Sequence, residues 1–154
     1  KMDIEQDRFV DQEVQLVTFE LGREIYALDI LVVQEIERLL NITRVPKAFS
    51  FIEGVINLRG NVIPVINLHK LFDLPARVNT DRTRIIIVKV QDITAGIVVD
   101  SVWEVQRLYL SDIEPPSSVV TTMKTQYIQG IGKKEGQLLI LLDIAQVLGI
   151  EGFK

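Results

Sequence analysis

The chain has 154 residues, of which 47% are hydrophobic and 25% charged, with a formal net charge of −4 and no cysteine. That length accommodates one domain, or two small subdomains sharing a core. Disulfides, thiolate metal sites and cysteine nucleophiles are excluded by composition, and a reducing compartment fits. Beyond the doublet Lys133-Lys134 there is no basic patch to neutralise phosphates, so no nucleic-acid partner is expected.

Residues 1–13 hold Asp3, Glu5, Asp7, Asp11 and Glu13 against Lys1 and Arg8, and read as a loose acidic tail in which only Phe9 and Val10 offer a local docking point. No basic-then-apolar signal pattern opens the chain. The apolar runs, such as Ile85–Val88 and Leu138–Leu142, fall far short of the ~20 residues of a spanning helix. A cytoplasmic protein without direct membrane insertion is expected.

Val14 to Phe19 and Ile25 to Leu28, broken by Leu21-Gly22-Arg23-Glu24, form a hairpin pattern. Residues 30–40 are ambiguous: Ile30, Val33, Ile36 and Leu40 fit a helix face, while Val32 to Glu37 also fits a strand. After Pro46, two apolar runs flank Arg59-Gly60-Asn61, which predicts a tight hairpin with Gly60 at positive φ. Asn67 follows as the N-cap of a short helix over residues 67–72. Residues 76–83 form a polar connector. Thr83 to Val90 and Thr94 to Val105 supply another strand pair, Pro115-Pro116-Ser117-Ser118 a loop, and Ile128 to Leu148 closes the chain.

The second half repeats the first. With Ile52 set against Ile128, Gly54 meets Gly130, Gly60 meets Gly136, Asn67 meets Asp143 and Leu71-Phe72 meets Val147-Leu148. Upstream, at an offset of 69 residues, Val33 meets Val102, Glu35 meets Glu104 and Ile36 meets Val105. Five short strands per half predict two small closed barrels, which leave few exposed edges. The expected division is a first barrel over residues 14–75, a connector over 76–83 and a second barrel over 84–154, the two sharing a core. Pro64, facing Ile140 in the repeat, is expected at a sheet edge or bulge.

Catalytic chemistry is sparse. The lone histidine, His69, cannot by itself build a zinc site, and is read as structural. Gly130-Ile131-Gly132 is followed by Lys133-Lys134-Glu135 and not by a helix start, so it is no dinucleotide fingerprint. Ser101, Ser111, Ser117 and Ser118 lack a nearby histidine or a nucleophile elbow. Carboxylate pairs such as Glu35 and Glu37 could in principle do acid–base work, although acidic residues on an exposed strand or helix face are usually only solvated. Trp103, the single tryptophan, is expected to pack in the core. No cofactor, metal or catalytic residue is expected.

The run Phe51-Ile52-Glu53-Gly54-Val55-Ile56-Asn57-Leu58-Arg59-Gly60, continued by Val62-Ile63-Pro64-Val65-Ile66-Asn67-Leu68, closely resembles the signature of the CheW family of bacterial chemotaxis coupling proteins. Val17 to Gly22, Tyr26 to Ile30, Val33 to Ile36, Thr43 to Pro46 and Ala95 to Asp100 resemble it too, so the likeness covers about residues 14–150. Trp103 departs from the smaller or polar residue expected there.

The resemblance implies a mainly β fold of two SH3-like five-stranded barrels with short helices. It implies a non-enzymatic adaptor between the cytoplasmic tips of chemoreceptors (methyl-accepting chemotaxis proteins) and the regulatory domain of the histidine kinase CheA, recruited to membrane receptor arrays. Carried over, Val33, Glu35, Arg59 and Gly60 match receptor-groove positions, with Ile85 and Val102 as weaker additions. Ile42, Val45 and Phe49 are candidates for the kinase surface, being apolar residues in a loop-rich stretch. Two alternatives stand: a CheW-like regulatory domain excised from a larger chemotaxis protein, and a small β-barrel enzyme using clustered carboxylates.

Overall fold

A computed structural model describes residues 11–116 and 125–150. In chain order the elements are β1 (Glu13–Leu21), β2 (Glu24–Asp29), a 3-10 turn (Ile30–Val32), β3 (Val33–Arg38), β4 (Ile52–Leu58), β5 (Asn61–Asn67), α1 (Leu68–Leu71), β6 (Arg84–Val90), β7 (Ile93–Val99) and β8 (Ser101–Tyr109). A 3-10 turn (Leu110–Asp112), β9 (Ile113–Glu114), a further 3-10 turn (Thr125–Tyr127), β10 (Ile128–Lys134), β11 (Gln137–Leu142) and α2 (Ile144–Val147) complete it. The ambiguous stretch at 30–40 is thus a 3-10 turn leading into a strand. The run from Thr94 to Val105 is split at Asp100 between β7 and β8. Residues 1–10 of the expected tail, with Phe9 and Val10, lie outside the described residues; Glu13 already belongs to β1, opposite Tyr109.

Two sheets form, in the orders β3-β6-β7-β5-β4 and β8-β1-β2-β11-β10-β9. They make the two SH3-like barrels, the second carrying a two-residue sixth strand. The halves do not close separately, however, and the expected division at 76–83 is corrected. The hairpin β1–β2 of the first half lies in the sheet of β8 to β11, while β6–β7 of the second half lies with β3, β4 and β5. Two parallel pairings carry this exchange: Ala27 with Leu141 in one sheet and Gly96 with Val65 in the other. The two pairs correspond under the sequence offsets, so the duplication is a pseudo-two-fold one with swapped hairpins.

The exchange explains the unbroken apolar runs. Ile85 and Ile87 face the interior of the first barrel, with Ile56, Leu58, Ile63, Val65 and Val98. Ile86 and Val88 face the other way, into a central core shared with Phe19, Tyr26, Leu28, Ile66, Phe72, Ile97, Ile140 and Leu142. In the second barrel Leu16, Ile25, Ala27, Leu108, Leu139 and Leu141 fill the interior. Strands buried on both faces have no polar side to alternate with.

Local chemistry follows the repeat. Asn67 and Asp143 each cap a short helix, accepting from the amides of Lys70 at 3.1 Å and Gln146 at 3.2 Å. Gly54 and Gly130 each sit where a chain crosses at close range. A Cβ on Gly54 would lie 2.2 Å from the Thr43 carbonyl oxygen, and one on Gly130 would lie 2.5 Å from Ile113. Those crossings are the Thr43–Val55 bridge and the β9–β10 pairing. Pro64 is not on an edge strand: β5 lies between β4 and β7, and Pro64 is tolerated because the β7 pairing begins at Val65. His69 is structural: its Nδ1 faces the Pro75 carbonyl at 2.8 Å and its Nε2 the Asp100 carboxylate at 3.0 Å. Asp100 in turn accepts from the Gly22 amide at 2.8 Å, which ties the β1–β2 turn to the β7–β8 turn. The connector is pinned by Arg77, which pairs through two 2.8 Å hydrogen bonds with Glu53.

Because each sheet needs strands from both repeats, residues 84–154 alone should show no cooperative thermal transition by circular dichroism. Mixing them with residues 11–83 should restore one, and a sharp melt of the fragment alone would refute the exchanged-hairpin fold. The two glycine types should also separate. Gly60, at φ +88 with open space around its Cβ position, should lose about 1–2 kcal/mol as Gly60→Val from backbone strain alone. Gly54→Ala should lose about 2–3 kcal/mol, because a packed carbonyl must move. Equal denaturation midpoints for the two variants would contradict this distinction.

Candidate functional site

The site is built on β3. Asp29 caps the preceding 3-10 turn, accepting from the Leu31 amide at 3.0 Å. Among the described residues β3 pairs only with β6 and so forms a sheet edge. A register shift between Val33 and Glu35 leaves Gln34 as the extra residue. Glu35 and Glu37 sit opposite Ile87 and Ile85 on β6. The β4–β5 turn approaches this strand. Arg59 and Gly60 both have positive φ, 51° and 88°, as a two-residue type I′ turn requires. The Gly60 amide donates to Asn57 at 2.8 Å.

From this turn the Arg59 guanidinium folds back across β3. It donates to Glu35 and lies 3.8 Å from the Glu37 carboxylate. Arg59 is 66% exposed, yet it is not a free solvated cation. When protonated, Glu37 can donate a hydrogen bond to Glu35. That bond, then Arg59, holds the Glu35 carboxyl below its ordinary range. The same bond, followed by desolvation and the Glu35 charge, raises Glu37. Hydrogen bonding to Glu35, and its charge, push Arg59 up. A purely sequence-based reading sees Glu37 only as half of an acid–base pair. The signal for its place here is the two-residue spacing, which puts both carboxylates on one side of a strand.

The other expected residues divide sharply. Val33 and Val102 are half-buried and pack against the same central core, although they belong to edge strands of different sheets. Gly60 is exposed. Ile85 is fully buried inside the first barrel, so no partner reaches it; its assignment to a contact surface is corrected. Ile42 is partly buried against that same interior. Val45 is exposed, and Phe49 is 74% exposed and stacked on Phe51 with ring centroids 5.5 Å apart. Trp103 is not a core residue: it is 48% exposed on the edge strand β8, where the register with β1 shifts. Leu31, beside the Asp29 cap, is 86% exposed and was not singled out by its sequence context.

The repeat supplies an internal contrast. In the second barrel Glu104 stands in place of Glu35, Gln106 in place of Glu37 and Glu135 in place of Arg59, with the same φ of 51° at the turn. Gln106 donates to Glu104 at 2.8 Å there, with no arginine between the strands. Among the described residues no cluster of three or more His, Asp or Glu could hold a metal ion. No helix among the described residues is long and apolar enough to cross a membrane.

Two SH3-like barrels fused through one core, with an ion cluster and half-buried valines on their edge strands, define a β-barrel scaffold whose distinctive surface chemistry suits protein recognition. The CheW-like domain family matches residues 15–151. The chain is 37% identical over 138 residues to the chemotaxis protein CheW of Treponema pallidum, covering 87% of this chain and 81% of that one. It is 39% identical over 137 residues to CheW of Bacillus subtilis, covering 89% and 88%. The crystal structure of the scaffolding protein TtCheW from Thermoanaerobacter tengcongensis superposes with a TM-score of 0.84 at 39% identity, covering 92% of this chain and 97% of that one. The chain belongs to the CheW family of chemotaxis scaffold proteins.

The ion cluster should be separable from the fold. Arg59→Ala should leave the melting temperature nearly unchanged, since an exposed ion pair contributes little to folding. It should raise the titration midpoint of Glu35 part of the way toward an ordinary carboxylate, while Glu37 stays elevated through its bond to Glu35. Side-chain carboxyl NMR titration reads both; an unmoved Glu35 would mean that Arg59 does not hold it.

Proposed function

We propose that this protein is a non-enzymatic adaptor, coupling the cytoplasmic tips of chemoreceptors to the regulatory domain of the histidine kinase CheA within membrane receptor arrays. The observation that carries the receptor site is the shared placement of Val33 and Val102 against the central core. They come from edge strands of different barrels and half-bury against one core, as residues lining a groove between the barrels would. Glu35, Arg59 and Gly60 adjoin Val33 through β3 and the β4–β5 turn. A hydrogen-bonded charge cluster beside half-buried valines suits a partner helix that presents an apolar stripe flanked by polar groups. The broken symmetry supports the choice of barrel, because the second barrel carries Glu135 where the first carries Arg59.

The kinase surface is assigned to the stretch holding Val45 and Phe49, with Ile42 beneath it as support. An aromatic ring exposed on one face and stacked on a neighbour on the other is a preorganised anchor of the kind that dominates interfaces. The carboxylate-enzyme reading is not favoured, since Glu35 and Glu37 are both engaged by Arg59.

Titration of each variant with a receptor cytoplasmic fragment and with the kinase regulatory domain tests both surfaces. Arg59→Ala and Glu35→Ala should each weaken receptor binding about tenfold or more and leave kinase binding intact. The double variant should lose little beyond either single one, because the two groups act as a pair. Phe49→Ala should show the converse pattern. Unaltered receptor affinity in a folded Arg59→Ala would sink the receptor assignment, and equal loss of both partners would mean that Arg59 supports the fold and not a surface.

A further inference from the structure

On the side of the molecule bounded by the β1–β2 turn lies a recess unrelated to the ion cluster. It has a volume of about 880 Å³, inside the range of roughly 300–1,000 Å³ typical of small-molecule sites. Its apolar wall is supplied by Leu21, Tyr26, Phe72, Leu74, Leu138 and Ile140. These residues come from β1, β2, β11 and the segment after α1, so both repeats contribute to it.

One polar group in that wall stands out. Tyr26 is 1% exposed, and its ring lies between Phe19 and Phe72 with centroids 6.0 Å from each. No protein group pairs with its hydroxyl among the described residues. Tyr26 is one of the residues that line the recess. Burial, with the nearby Glu24 charge, raises its pKa, which keeps the hydroxyl a donor in need of an acceptor. Three other polar side chains of the lining are already hydrogen-bonded. His69 pairs with Pro75 and Asp100, Asp100 also with Gly22, and Ser101 donates to Glu20 at 3.2 Å. Both signs of charge line the recess, with Arg23 and Arg82 against Glu24 and Asp73, so an ion of either sign would face like charge.

We infer that this recess binds an uncharged, mostly apolar small molecule whose carbonyl-type oxygen accepts a hydrogen bond from Tyr26. The apolar body would lie against Phe72, Leu138 and Ile140. Because the wall joins β1, β2 and β11 of the second barrel to the segment after α1, occupancy would also brace that segment against the barrel.

Acetanilide, an uncharged ring bearing one amide carbonyl, is the probe. It is titrated into the full chain while the methyl resonances of Leu138, Ile140 and the distant exposed Ile93 are followed. The expected result is saturable shifts at Leu138 and Ile140 but not at Ile93. Affinity should fall about fivefold in Tyr26→Phe, which keeps the stacked ring and removes only the donor. Should Tyr26→Phe fail to fold, Leu138→Glu, at a partly exposed wall position, should abolish the shifts at Ile140. Absence of saturable shifts, shifts of equal size at Ile93, undiminished affinity in folded Tyr26→Phe, or binding that survives Leu138→Glu would each overturn the inference.

Discussion

The structure depends on the exchange of two hairpins. β1–β2 and β6–β7 each leave their own repeat and complete the sheet of the other, held by the parallel pairings of β2 with β11 and of β5 with β7. The exchange drives both faces of these strands into apolar surroundings. A buried Ile, Leu or Val contributes roughly 1.5–3 kcal/mol relative to its exposed state, and β6 alone places Ile85, Ile86, Ile87 and Val88 in two different cores. The aromatic series Phe19, Tyr26, Phe72 and Tyr127 runs through the central core and joins strands and helices of both repeats. Neither barrel can exist without the other repeat, which makes the two-barrel unit one cooperative body.

The same exchange decides where the surface chemistry lies. With the inner sheet positions taken by β1, β2, β6 and β7, the strands β3 and β8 are left at the edges. Each edge carries a valine that half-buries against the shared core, and each is bent by a register shift, at Gln34 on β3 and around Trp103 on β8. Irregular edges of this kind resist uncontrolled strand pairing while offering side chains to a chosen partner.

Recognition then arises where the duplication is broken. The backbone of the two hairpin turns is the same, with φ near 51° at both Arg59 and Glu135 and a glycine following each. Only the first turn carries a cation, and only the first edge strand places two carboxylates beneath it. The backbone symmetry preserves the fold, and the side-chain asymmetry distinguishes the two faces. Trp103 adds a second difference, standing where Gln34 stands in the other repeat.

Much of this was written in the sequence. The internal repeat, the paired glycines, the tight hairpin with Gly60 at positive φ and the caps at Asn67 and Asp143 all rest on local backbone chemistry, which a short stretch of residues determines by itself. The family signature in residues 51–68 rests on the same local features. Tertiary structure alone decided which hairpin joins which sheet. The runs around Ile86, Ile97 and Leu141 are apolar on both faces, so their pattern is satisfied by either pairing, and a division by sequence halves followed naturally but did not hold. The same limit hid the burial of Ile85, the exposure of Trp103 and the folding back of Arg59 onto Glu35 and Glu37. Each is set by strands far apart in the chain, whose meeting depends on the closed shape of the barrels and not on any spacing within a segment.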